Sequence, residues 1–222
     1  MNPMEAMERR HSVRQYTARP LSPEAVAALR REMDDCNRES GLHIQLVQGE
    51  PKAFDGFLAH YGKFRGVTNY LALVGPRGPG LEERCGYYGE RLVLLAQQLG
   101  LNTCWVALTY RRVPRAFTVG SGEKLCIVIA LGYGENQGTP HRSKPLEAVA
   151  RAEGEMPDWF RRGVEAALLA PTAMNQQKFT FTCRGSRVFA DAGRGFYTKI
   201  DLGIAKYHFA LGAGEGGWTW GG

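Results

Sequence analysis

The chain has 222 residues, 44% of them hydrophobic and 23% charged, which is enough for one sizeable domain or two small ones of ordinary globular composition. The formal charge of +6 is spread among acids, as in "RREMDD" and "EERCGYYGERL", so it reads as solvated helix faces rather than a nucleic-acid footprint. The five Cys, at 36, 85, 104, 126 and 183, have neither zinc nor small-domain disulfide spacing, the opening is unlike a signal peptide, and the apolar run "LCIVIAL" is far short of the ~20 residues that cross a bilayer, so a cytoplasmic protein is expected.

In chain order, the first element is a helix in "LSPEAVAALRREMDDC". Ser22 suits an N-cap, Pro23 the first helical position, and Gly41 ends the element. Val26, Leu29, Met33 and Cys36 make its apolar stripe. "HIQLVQ" (43–48) alternates like a half-buried strand, and "TNYLALVG" (68–75) reads as a second. "GYYGERLVLLAQQLG" (86–100) predicts a helix with Gly100 as its C-cap. Strands follow at 103–108 and 125–131, then a long polar connection over 132–145. From 141 the pattern begins again. "MPDWFRRGVEAALLAP" predicts a helix with Pro157 near its start, and Phe160, Val164, Ala167 and Leu168 on one face. "KFTFTC" (178–183) predicts a strand, "TKIDLGIAKYHFALGAG" (198–214) a helix, and "EGGWTWGG" a mobile tail. The matching order suggests an internal repeat, of about 8–140 and 141–222, within one α+β domain.

Several clusters could carry chemistry. Arg10, Ser12 and Arg14 alternate, so an extended segment would turn two guanidiniums and a hydroxyl to one side as an anion cradle; the alternative is a solvated basic end. Arg142 and Lys144 in "HRSKP" repeat that chemistry. "APTAMNQQ" (170–177) has no thiol, base or carboxylate, but its hydroxyl and amides suit a neutral heterocycle or a polyol chain; the alternative is a polar helix-to-strand turn. The five His show no metal spacing, and His208 reads as structural or surface. With no evident nucleophile, metal cluster or dinucleotide fingerprint, hard chemistry would have to come from a bound cofactor.

Taken together, four motifs resemble the FMN-dependent nitroreductase family. "ERRHSVRQYTARPLSPEAVAAL" is similar to its R-x-S-x-R opening and first helix, and "GYYGERLVLLAQQLGLNTCWV" to its central helix and Trp-containing strand. "KLCIVIALGYGENQGTPHRSKPLEAV" resembles its late strand and R-K-P-L-E element, and "APTAMNQQKF" its A-P-S-x-x-N-x-Q-P-W element, with Lys178 in place of the usual Pro. The resemblance implies a nitroreductase-like α+β fold with a mixed central sheet flanked by helices. It implies Arg10, His11 and Ser12 near the flavin phosphate and ribityl chain, with Arg142 and Lys144 completing the phosphate site. It places Arg14 at the N1–O2 edge, Trp105 on the strand whose end, at Ala107 and Leu108, brings backbone near N5, and Pro171, Thr172, Ala173 and Asn175 at the ribityl chain and ring edge.

The order of the motifs departs from that family. Ordinary members carry A-P-S-x-x-N straight after the first helix, and build each site between two subunits. Here the motif stands at 170 and the second half has no R-x-S-x-R of its own, so the expectation is a fused pseudo-dimer of two pseudosymmetric halves with one complete FMN site. The implied activity is an FMN oxidoreductase passing electrons from NADH or NADPH to a nitroaromatic, quinone or similar acceptor. The alternatives are another reaction on the same fold, or flavin sensing or storage without turnover. The expected partners are small-molecule substrates, with no nucleic acid and no membrane. A monomer would suffice, and further association is left open.

Overall fold

The computed structural model describes residues 1–221. Two compact units share the chain. The first holds Met1, Arg9–Leu81 and Leu92–Pro140; the second holds Asn2–Glu8, Glu82–Arg91 and the chain from His141 on. Six helices are α1 (Pro3–Arg9), α2 (Pro23–Ser40), α3 (Phe57–Tyr61), α4 (Leu81–Gln98), α5 (Asp158–Ala167) and α6 (Thr198–Ala213). The strands are β1 (His43–Val47), β2 (Asn69–Pro76), β3 (Asn102–Val106), β4 (Glu123–Gly132), β5 (Ala150–Ala152), β6 (Phe179–Arg184), β7 (Arg187–Ala192) and β8 (Thr219–Trp220). They form two four-stranded sheets rather than the one mixed central sheet expected, because hydrophobic pattern marks strands without fixing their partners.

In the first unit the sheet order is β1-β2-β4-β3, antiparallel throughout. Seven of the eight residues of β2 are buried, since both faces of the sheet are covered. On one face Tyr70, Ala72, Val128, Ala130, Cys104 and Val106 pack with Val13, Tyr16, Phe54 and Phe64; on the other Leu131 packs with Leu21, Ala25, Leu29 and Ala96 of the helical layer. α2 begins as its sequence predicts: the Ser22 hydroxyl accepts from Ala25 N at 3.2 Å, and Gly41 closes the helix at φ 69°. α4 starts five residues before the expected point, at the buried Leu81, with Glu82 and Glu83 in its first turn where the helix dipole favours acids. It ends as expected around Gly100, at φ 74°: Gly100 N donates to Gln97 O and Leu101 N to Ala96 O, a Schellman motif.

In the second unit the sheet order is β5-β6-β7-β8, with parallel, antiparallel and parallel pairings in turn. α5 starts after Pro157, and Phe160, Val164, Ala167 and Leu168 are all buried as the spacing predicts. The tail is a structural element, not a mobile end. β8 pairs with β7, Trp218 donates from Nε1 to Gly214 O at 3.0 Å, and its ring lies 5.3 Å from Phe209. Trp159 and Trp218 stack at 6.1 Å with 8° between planes. Two close helix contacts rest on glycine. A methyl on Gly203 of α6 would overlap the Glu83 carbonyl of α4, and one on Gly86 would overlap the Ile200 carbonyl. Gly163 of α5 faces the Phe209 ring, which a Cβ would meet at 2.7 Å. Among the described residues no helix is long and apolar enough to cross a membrane.

Candidate functional site

The first unit carries the Arg10–Arg14 segment in an extended course. Val13 N donates to Thr103 O at 3.0 Å, Arg65 N to Arg14 O at 3.0 Å, Tyr16 N to Arg65 O at 2.9 Å and Thr17 N to Tyr133 O at 2.8 Å. Ser12 bridges Thr103 at the edge of β3. Val13 and Tyr16, three residues apart, both lie in the core. Tyr16 Oη donates to Val13 O at 2.7 Å, and burial holds its phenol well above the ordinary range, Cys104 adding to the rise and Arg14 opposing it.

Arg10, Ser12 and Arg14 all act on the Cys104 thiol. Burial raises Cys104, and three groups pull it back: the Arg14 charge, a hydrogen bond with the Ser12 side chain, and the Arg10 charge. Arg10 is 4% exposed, Ser12 half-buried and Arg14 exposed, so the two guanidinium-bearing residues lie at different depths. The loop after β4 lies against His11: a Cβ on Gly138, at φ 73°, would stand 2.7 Å from His11 Cβ. Trp105 is half-buried within β3, whereas Ala107 and Leu108 lie just past its end and Leu108 is exposed.

The second unit brings Arg142 and Lys144 onto the Pro171–Gln177 turn. Gln177, 2% exposed, ties the two segments together. Its Oε1 accepts from Lys144 N at 2.8 Å, and its Nε2 donates to Arg142 O at 2.9 Å and Asn175 Oδ1 at 2.7 Å. Asn175 Nδ2 donates to Arg142 O at 2.9 Å. Lys144 Nζ donates to the Gln176 and Gln177 carbonyls at 2.8 and 2.9 Å, and Thr172 Oγ1 accepts from Gln177 N at 3.1 Å. The amides that the sequence offers for a ligand are therefore largely spent on shaping the turn. The Arg142 guanidinium is exposed, Pro171, Thr172 and Ala173 are half-buried, and Met174 is fully exposed.

Two of the residues that hold this turn escape the sequence reading. Gln177 gives no signal beyond its place in the motif. Asp201 does: it is an acid in α6, a helix buried nearly all round, where an ionisable group needs a partner. It accepts from Ala173 N at 3.0 Å and Gln176 Nε2 at 2.7 Å, and burial raises it to about 6 against the lowering effect of those two bonds. His208, read as structural or surface, is fully buried and structural. Among the described residues no group of three or more His, Cys, Asp or Glu could hold a metal.

The fold is found in nitroreductases of known structure. It matches a putative nitroreductase from Thermotoga maritima with a TM-score of 0.61 and 24% identity, over 95% of this chain and 83% of that one. It matches a putative nitroreductase in complex with FMN from Desulfovibrio desulfuricans with a TM-score of 0.54 and 19% identity, over 71% and 98%. A Parabacteroides distasonis chain described as a putative NADH dehydrogenase/NAD(P)H nitroreductase gives a TM-score of 0.52 at 21% identity, over 67% and 97%. No curated protein matches. The family model "Putative TM nitroreductase" matches residues 2–213, and the chain belongs to that family.

Proposed function

We propose that the protein is an FMN-dependent oxidoreductase that takes electrons from NADH or NADPH and delivers them to a nitroaromatic, a quinone or a similar flat acceptor. The observation that carries this reading is the grouping of Arg10, Ser12 and Arg14 in one short extended segment near Cys104, whose thiol all three pull down against burial. Two guanidiniums and a hydroxyl in that order suit a phosphate and the polyol beside it. The donor set of the second unit has the same character: an exposed Arg142, a Lys144 ammonium with one hydrogen beyond its two carbonyl bonds, and the Thr172 hydroxyl.

FMN, when bound, would supply the electron transfer between donor and acceptor, chemistry that none of these side chains can perform. Arg10 and Ser12, with His11 beside them, would hold the phosphate and ribityl chain, and in the second unit Arg142 and Lys144 offer the same anion-binding chemistry. Arg14 would set its positive charge where electron gain builds negative charge. Asn175 and Gln177 would act through the turn, keeping Pro171, Thr172 and Ala173 in place. Trp105, Ala107 and Leu108 would border the reactive edge. In chain order, helix, antiparallel strand pair and helix occur as α2-β1-β2-α4, with the short α3 between the two strands, and again as α5-β6-β7-α6, which supports an internal duplication in which each half keeps one of the two motif sets.

The test is an anaerobic titration of FMN-loaded protein with NADH and with NADPH. Rapid bleaching of the flavin absorbance, followed by its return on adding a quinone or nitroaromatic, is expected. Loaded protein that neither donor bleaches would be a flavin-binding protein without turnover.

A further inference from the structure

A single carboxylate anchors the Pro171–Gln177 turn. Asp201 is 3% exposed and both of its oxygens accept, Oδ1 from Ala173 N at 3.0 Å and Oδ2 from Gln176 Nε2 at 2.7 Å. The same Nε2 donates its other hydrogen to Phe196 O at 2.9 Å, so the Gln176 amide is fixed in orientation. The turn itself is strained: Met174, Asn175 and Gln177 have φ of 51°, 52° and 44°, a region that side chains with a Cβ rarely enter unless their surroundings hold them there.

The hydrogens match their acceptors one for one when Asp201 is ionised. Three N–H hydrogens, one from Ala173 and two from Gln176, then meet three acceptors, the two Asp201 oxygens and Phe196 O. A proton on the carboxyl leaves its oxygens able to accept, but it removes the charge that strengthens both bonds and adds an O–H to a site whose three N–H hydrogens and three acceptors are already matched. Reversing the Gln176 amide would offer its oxygen to the new O–H but would set that oxygen against the Phe196 carbonyl. Protonation therefore weakens the bonds that hold the strained turn.

We propose that Asp201 is a positioning residue for the cofactor: its ionised carboxylate holds the Pro171–Asn175 turn in the geometry that takes FMN, and its protonation in mildly acidic solution releases the turn and weakens FMN binding. The proposal rests on the flavin reading of that turn and adds its regulation. Burial raises Asp201 to about 6, with Ala173 and Gln176 opposing, so the release falls just below neutral pH. The charged groups around it do not set this value. Lys144 Nζ is held by the Gln176 and Gln177 carbonyls, Lys178 Nζ by Arg194 O at 3.2 Å, and Tyr197 and Lys199 flank the start of α6, yet only burial and the two hydrogen bonds contribute.

FMN dissociation constants for the wild type and Asp201→Asn, measured by fluorescence quenching at about pH 7.5 and about pH 5, test this. With a value near 6, roughly one molecule in eleven is ionised at about pH 5, so the wild type should lose roughly tenfold in affinity beyond any loss in the variant. The FMN phosphate titrates in both proteins and cancels in that comparison. A second readout is amide exchange at Ala173 in wild-type protein without FMN, where protection, corrected for intrinsic rate, should fall several-fold over the same range. Superimposable pH profiles of affinity for the two proteins would overturn the proposal, and so would constant protection at Ala173, which decides the matter if Asp201→Asn does not fold. Failure of the wild type to take up FMN at either pH would overturn the flavin reading and the cofactor half of the proposal; the Ala173 profile then separately upholds or overturns the latch.

Discussion

At the residue scale, the second unit holds a buried acid–base pair whose proton count can be worked out. His208 and Glu90 are both fully buried and meet at 2.9 Å through Nε2, while Nδ1 lies 3.1 Å from Ala166 O. A carbonyl only accepts, so Nδ1 carries a hydrogen, and the second proton lies between Nε2 and the carboxyl. His208→Leu takes the imidazole from a buried acid and should cost about 3–5 kcal/mol. Glu90→Gln can still donate to Nε2 and should cost only about 1 kcal/mol. Urea unfolding compares the two, and equal losses would mean that the charge of Glu90, not its hydrogen bond, is what the site needs. Asp201 gives a prediction of its own. Its folded value of about 6 exceeds the ordinary 3.8, so the folded protein binds this proton more tightly than the unfolded chain. The resulting stability is present at low pH and is lost as pH rises through that window, from about 4 to about 6. Asp201→Asn lacks this loss, so the stability of the variant relative to wild type should climb across the window by up to about 3 kcal/mol. Parallel stability–pH curves would contradict it.

At the element scale, the helices of the second unit approach one another where side chains are missing. Gly203→Ala gains about 1 kcal/mol of helix propensity but drives a methyl into the Glu83 carbonyl, and overpacking of this kind costs about 1–3 kcal/mol, so a net fall in thermal stability is expected. Gly86→Ala strains the same contact, and the double variant should lose less than the sum of the two losses. The same glycines explain where the sequence was legible. Ser22, Pro23, Gly41, Gly100 and Pro157 act through local backbone chemistry, and the helix ends they mark are found at those residues or within two of them. Gly86 acts through a distant partner, the Ile200 carbonyl, which no local spacing reveals. Strand partners are distant too, which is why the strands were legible and the division into two sheets was not. Of the candidate residues, the extended course of Arg10–Arg14 was readable from the sequence; the use of the Asn175 and Gln177 amides within the turn was not, because it depends on Arg142 and Lys144 folding back onto them.

At the scale of the whole molecule, the flavin reading makes a quantitative demand on stoichiometry. The sequence order allots one motif set to each half, so one FMN per chain is expected, and Arg14→Ala and Asn175→Ala should each weaken that single uptake. Two equivalent flavins per chain, measured by absorbance against protein concentration, would remove the duplication argument. The aromatic residues offer a way to follow the two units apart. Trp105 belongs to the first unit, while Trp159, Trp218 and Trp220 cluster in the second. The near-parallel rings of Trp159 and Trp218 should couple their electronic transitions and give a near-ultraviolet circular dichroism band that belongs to the second unit alone, and a Trp105→Phe chain would leave tryptophan emission to that unit too. The protein thus carries its own optical label on one unit, able to show whether the two melt as a single cooperative body or one after the other.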